Sequence, residues 1–152
     1  ATSVLATFTK SGTTLNLILS HMARYKTAIF IGRPGADTGL SAYRRLPVKL
    51  DIYTHTPNAS RFLPKYNLAC VSRYLAILEA LAAGVPVLAH YNNAIKYDYL
   101  AMAPFAKFIH IFKNPKEAGL NFDLKLIKQG QTWAKSQTWA KLAGIYETLW
   151  QK

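Results

Sequence analysis

The chain has 152 residues, 51% of them hydrophobic, which suits one domain with a substantial core. No apolar run approaches the roughly 20 residues that cross a bilayer, and this excludes a transmembrane helix. Nineteen Lys and Arg against seven Asp and Glu leave a net charge of +12, a field that attracts phosphates on nucleotides, nucleic acid or anionic lipid.

The basic residues are scattered from Lys10 to Lys152, which argues against a disordered basic tail. The chain starts Ala1-Thr2-Ser3-Val4. The lack of an initiator Met and of a signal-peptide pattern reads as a piece of a longer chain. Cys70, the single cysteine, lies in the apolar stretch 68–71 and is expected as a buried thiol. One cysteine allows no internal disulfide and fits a cytoplasmic location.

In chain order, SVLATF (3–8) is β-prone and is followed by Lys10-Ser11-Gly12. The next segment, 13–25, has helical spacing at Leu15, Leu19 and Met22. TAIFIG (27–32) reads as a second strand ending in the loop GRPGADTG, and LSAYRRL (40–46) as a short helix. KLDIYTH (49–55) reads as a strand, with Asn58 capping a helical turn that runs through Tyr66. NLACV (67–71) is a fourth strand, after which Ser72 is expected to N-cap a helix that stops at Gly84. VPVLAHY (85–91) is a fifth strand, IKYDYLAMA a helix stopped near Pro104, and AKFIHIF (106–112) a sixth strand.

Strands alternating with helices through short loops predict a Rossmann-like open parallel sheet of about six strands with helices on both faces, in a single domain over 1–152. The C-terminal 30 residues read as mainly helical, with Gly130 as a break and a local echo of QTWAK at 131–135 and 137–141. Trp133, Tyr146 and Trp150 are expected to pack this C-terminal helix back on the domain.

Ligands of open parallel sheets bind beyond the carboxyl ends of the strands, where helix N-termini point. Three segments qualify: Lys10–Gly12, Gly32–Gly39 and Val71–Tyr74. The glycines of the second, spaced G-x-x-G-x-x-x-G, match neither the dinucleotide fingerprint nor a Walker loop, and a simple turn accounts for them. Arg33 in that loop is a candidate nucleotide contact. In the third, a helix capped by Ser72 would offer the amides of Arg73, Tyr74 and Leu75 to a phosphate. Glu79 lies seven residues on, two turns and roughly 10 Å along the axis on the same face. A ribose attached to that phosphate would meet a carboxylate able to accept from both hydroxyls of its diol. The alternative is that Glu79 is only the exposed edge of an amphipathic helix.

The stretch LEALAAGVPVLAHYNNAIKYDYL (78–100) resembles the donor-binding half of GT-B glycosyltransferases, in the glycosyltransferase group 1 family. Lys10-Ser11-Gly12 is similar to that family's lysine-glycine pair before its first helix. SQTWAKLAGIYETL (136–149) is similar to the closing helix, with Trp139 and Tyr146 in place. The resemblance implies a domain that binds a nucleotide diphosphate sugar for transfer to an acceptor held by a separate domain or chain. In it Glu79 would hold the ribose, Lys10 and Gly12 would meet the diphosphate, and the amides at Arg73–Leu75 would contact its oxygens. One departure stands out: the family's second glutamate, eight residues before the first, is Val71 here, so the donor sugar must be met differently. Asn92 and Asn93 on the next loop are candidates for sugar contacts, a turn role being the alternative.

No metal or other cofactor is expected. His21, His55, His90 and His110 lack ligand spacing, and a helix dipole with basic side chains suits a leaving diphosphate. The rival reading is a non-catalytic basic module for an anionic membrane surface or nucleic acid. Nucleic acid is disfavoured because the tyrosines fall on predicted helices and loops rather than on one β-face. Peripheral contact with the inner membrane face is compatible with either reading.

Overall fold

The computed structural model describes residues 3–6, 27–31, 44, 49–53, 56, 58–119 and 121–151. It is a mixed α/β structure built on a parallel sheet. The strands are β1 (Ser3–Ala6), β2 (Thr27–Ile31), β3 (Lys49–Tyr53), β4 (Leu68–Cys70), β5 (Val87–His90) and β6 (His110–Phe112). They lie in the order β3-β2-β1-β4-β5-β6, every pair parallel. Strand order reverses between β1 and β4: the first three strands step one way from β1, and the last three step the other way. That reversal leaves a crevice at the carboxyl ends of the two strands.

β4 and β5 are short, mainly apolar runs because both of their faces are buried. Side chains alternate in direction along a strand. Ile29, Ile31, Ala69, Val71, Val87 and Ala89 fall on one face and join a single core cluster. Leu68, Cys70 and Leu88, facing the other way, are also buried.

Helix α1 (Tyr74–Ala82) packs Ile77, Ala80 and Leu81 onto the first of these faces. It stops at Gly84, as its sequence requires. Gly84 takes φ +73°, its amide donates to the Leu81 carbonyl (2.8 Å), and the Val85 amide donates to Ala80 (3.0 Å). This pair of bonds is a Schellman closure, which favours a glycine in the left-handed region. Helix α2 (Ala94–Ala101) is capped by Asn93, whose side chain accepts from the Lys96 amide at 2.8 Å.

Residues 106–112 are not one strand. Ala106–Phe108 form a 3-10 turn, and only His110–Phe112 join the sheet. The cause is Phe105: it is fully buried, and the amides of Ala106 and Phe108 close on the carbonyls of Ala103 and Phe105, each at 2.9 Å. The segment before β4 is likewise a 3-10 helix, Ala59–Lys65, bounded by Asn58 and Tyr66.

The C-terminal region differs from expectation in two ways. Gly130 does not break a helix but lies buried inside α3 (Leu124–Lys135). A Cβ there would stand 3.0 Å from the Phe108 Cβ and 3.2 Å from Leu81 Cδ2, so glycine permits a close approach of helix to core. The break falls instead at 136–138, running from Ser136 into the start of the second QTWAK echo, where Thr138 caps α4 (Trp139–Trp150). Trp133 on α3 packs against the core, its ring 5.7 Å from Phe108 and 6.5 Å from Phe105. Tyr146 and Trp150 do not: no residue of α4 is buried. Of the two C-terminal helices, only α3 buries residues in the domain. Among the described residues, no helix is long and apolar enough to cross a membrane.

Candidate functional site

The candidate site forms where β4 ends beside the strand-order reversal. Val71 extends the strand, its amide donating to the Leu88 carbonyl at 3.0 Å. Ser72 follows, buried, and α1 then begins. The N-cap is Arg73 rather than Ser72. Arg73 has extended backbone angles, and its carbonyl accepts the first intrahelical bond, from Ile77 at 2.9 Å. The Ser72 carbonyl is engaged elsewhere, accepting from Lys96 Nζ on α2. That contact across 24 residues moves the helix start one position along. The amides without an intrahelical acceptor therefore shift from 73–75 toward Tyr74, Leu75 and Ala76.

Lys96 was not singled out from sequence, because nothing in its local spacing separates it from the other basic residues. Its ammonium reaches from the first turn of α2 to the start of α1 and lies 4.4 Å from the Tyr99 ring centroid. Burial, and then the nearby Arg73 guanidinium, hold its pKa below the ordinary lysine value. Two cations thus stand together at the N-terminal end of α1, where the helix dipole is also positive. An anion placed there would be attracted by all three.

Glu79 lies two turns further along α1 and is exposed, although neighbouring protein atoms desolvate its carboxylate enough to raise its pKa. Asn92 and Asn93 lie exposed on the loop after β5. Asn93 uses its Oδ1 as the cap of α2, and its Nδ2 donates to Asn92 Oδ1 at 3.1 Å. The turn role proposed as an alternative for Asn93 is therefore occupied. Val71 belongs to the hydrophobic core, so its side chain offers nothing to a sugar. Tyr74 is partly exposed and turns its ring edge toward Phe105 at 5.1 Å, while Leu75 projects outward.

The structure brings Ser72, Arg73, Tyr74, Leu75 and Glu79 onto one helix and its approach, with Asn92 and Asn93 on the following loop. Lys10, Gly12 and Arg33 lie outside the described residues, as do His21 and His55. His90 is buried on β5 with its ring 5.5 Å from that of Phe112, and burial lowers its pKa. His110 on β6 is within hydrogen-bonding distance of the Glu117 carbonyl, at 3.0 Å. Among the described residues, no three His, Cys, Asp or Glu side chains gather as a metal site. No protein-family model and no curated protein matches the chain.

Proposed function

We propose that this chain is the Rossmann-like donor-binding domain of a glycosyltransferase of the GT-B kind, transferring a hexosyl group from a nucleotide diphosphate sugar. The observation that carries the reading is the meeting of Arg73, Lys96 and the N-terminus of α1 at the carboxyl end of β4, with Glu79 two turns along the same helix. Strand order supports it, since the seat lies beside the point where such sheets take their ligands.

In this reading the diphosphate lies against the amides of Tyr74, Leu75 and Ala76 and between the two cations, with Lys10 and Gly12 completing the seat. Arg33 is a further contact to the nucleotide. Glu79 accepts from the ribose diol, and the exposed Asn92 and Asn93 side chains border the sugar. Transfer breaks the bond between the anomeric carbon and the diphosphate oxygen, whose electron pair leaves with the diphosphate. The acceptor hydroxyl oxygen bonds to the anomeric carbon, and its proton passes to the departing diphosphate or to solvent. Cations and dipole at the α1 start stabilise the charge that builds on the leaving diphosphate. The acceptor, of polysaccharide or glycolipid type, is held by a partner domain or chain, because a two-domain enzyme needs roughly twice this length.

The test is a thermal-shift screen of nucleoside diphosphates and their sugar conjugates, followed by calorimetry at two salt concentrations on the parent and Lys10→Ala. The expected result is specific stabilisation by one nucleotide, a shallow salt slope and a clear loss at Lys10. A steep loss of every anion with salt, with no particular effect at Lys10, supports the basic-module reading instead.

A further inference from the structure

The rim at the carboxyl ends of β4 and β5 has an uneven hydrogen-bond polarity. Its groups form one continuous chain of contacts. Asn92 Oδ1 accepts from Asn93 Nδ2 at 3.1 Å, Asn93 Oδ1 accepts from the Lys96 amide at 2.8 Å, and Lys96 Nζ donates to the Ser72 carbonyl. The oxygens of this chain are thereby engaged inside the protein, and the groups left over are donors. Asn92 Nδ2 has no partner among the described residues. An ammonium carries three N–H bonds, of which Lys96 gives one to Ser72. Among the described residues, no carboxylate is turned to this rim. Glu79 lies two turns along α1, Asp98 stands two residues past Lys96 and so roughly 160° away around α2, and Glu117 is held by the Lys113 and Asn114 amides beyond β6.

We propose that the donor sugar is a hexuronate whose carboxylate accepts from Asn92 Nδ2 and Lys96 Nζ. The inference rests on the nucleotide-sugar reading above and names the class of sugar. A hexose carries at C6 a hydroxyl that both gives and takes a hydrogen bond, whereas a hexuronate carries a carboxylate that only takes, with about four lone-pair sites. The free groups of the rim can only give. They therefore match the carboxylate and leave the C6 hydroxyl proton of a hexose without a protein acceptor. A bond from an ammonium to a carboxylate is also roughly twice as strong as one between neutral groups. The Arg73 guanidinium beside Lys96 and the net charge of +12 favour the added negative charge. The ring hydroxyls are common to both sugars and do not discriminate. Because Lys96 keeps two N–H bonds after serving Ser72, it can meet the diphosphate and the sugar carboxylate together.

Calorimetry on the 152-residue chain tests the proposal by comparing UDP-glucuronate with UDP-glucose, GDP-mannuronate with GDP-mannose, and each conjugate with its nucleoside diphosphate. The expected result is that one base binds and that its uronate binds about ten-fold or more tightly than its hexose, as one charged hydrogen bond gives. Asn92→Asp keeps an oxygen to accept from Asn93 but turns the free donor into a carboxylate oxygen, and should lower that preference by about ten-fold or more. The readout is a ratio of two ligands on one protein, so a general loss of stability in the variant does not imitate it. Equal binding of uronate and hexose, with the nucleoside diphosphate bound, overturns the hexuronate and leaves the nucleotide reading standing. A uronate preference that Asn92→Asp leaves unchanged marks attraction by overall charge and also overturns it. If neither nucleoside diphosphate nor any conjugate binds, the nucleotide-sugar reading fails and this inference fails with it.

Discussion

Lys96 Nζ donates a hydrogen bond to the carbonyl oxygen of Ser72, joining the first turn of α2 to the residue that precedes α1. The contact fixes the approach to α1 and at the same time carries a positive charge to the helix start, beside Arg73. A structural contact and, in the proposed reading, a phosphate contact therefore fall on one side chain that no local motif marks.

Replacing it separates the two roles. Lys96→Met should weaken a nucleoside diphosphate by about ten-fold or more, since a hydrogen bond to a charged group contributes about 1.5–3 kcal/mol. The fold should lose about 1 kcal/mol, the net value of one hydrogen bond. Calorimetry and urea unfolding measure the two effects independently. A variant that binds the parent's nucleotide unchanged removes Lys96 from the phosphate seat.

Glu79 predicts a pH dependence of definite sign. Its folded-state pKa is raised above the ordinary 4.5, so folding favours the protonated carboxyl and the ionised form carries a stability cost at neutral pH. Acidification through the raised pKa relieves that cost but removes the acceptor that ribose needs. Nucleotide affinity should fall as pH drops through the region just above the ordinary carboxylate value, while Glu79→Gln shows weaker affinity and no such fall. Thermal stability of Glu79→Gln at neutral pH should equal or exceed the parent's. A parent whose binding is as flat with pH as the variant's denies Glu79 the ribose.

Much of the parallel α/β pattern was legible because each β4–β6 element is bounded by a local stop signal, such as Gly84 with its positive φ or Asn93 with its capping side chain. What was not legible came from contacts distant in sequence. The choice of Arg73 over Ser72 as N-cap follows from Lys96, and the 3-10 turn at 106–108 follows the burial of Phe105. Gly130 carries no local sign that Phe108 and Leu81 will crowd it. The two echoed tryptophans, identical in local sequence, have opposite fates: Trp133 packs against the core and Trp139 projects from it. Only the tertiary position of the helix decides between them.

Gly130 and Gly144 offer a matched pair of substitutions. Alanine in a helix interior is favoured over glycine by about 1 kcal/mol. At Gly144 nothing lies within 4 Å of the added methyl, so Gly144→Ala should stabilise α4 and leave global stability the same or slightly higher. At Gly130 the methyl would meet the Phe108 Cβ at 3.0 Å, an atom fixed to the backbone of the 3-10 turn. Overpacking there costs about 1–3 kcal/mol, enough to outweigh the helical gain. Urea unfolding should place Gly130→Ala below the parent; a more stable Gly130→Ala shows that α3 can shift away from the core at little cost.

Cys70 closes the outward face of β4 as a small apolar group, and burial pushes its thiol up to about 12 from an ordinary 9.0. Because only the thiolate attacks an alkylating reagent, that shift alone lowers the reactive fraction at mildly basic pH by about a thousand-fold. Limited access lowers it further. Iodoacetamide should leave the native protein unmodified over times that label a small thiol completely, and labelling should accelerate in urea in step with unfolding. Cys70→Ala should cost about 1 kcal/mol for the volume lost, and Cys70→Ser more, because its hydroxyl would be buried among apolar groups. Rapid stoichiometric labelling without denaturant, with Cys70→Ser as stable as Cys70→Ala, would show that this face of β4 is open to water.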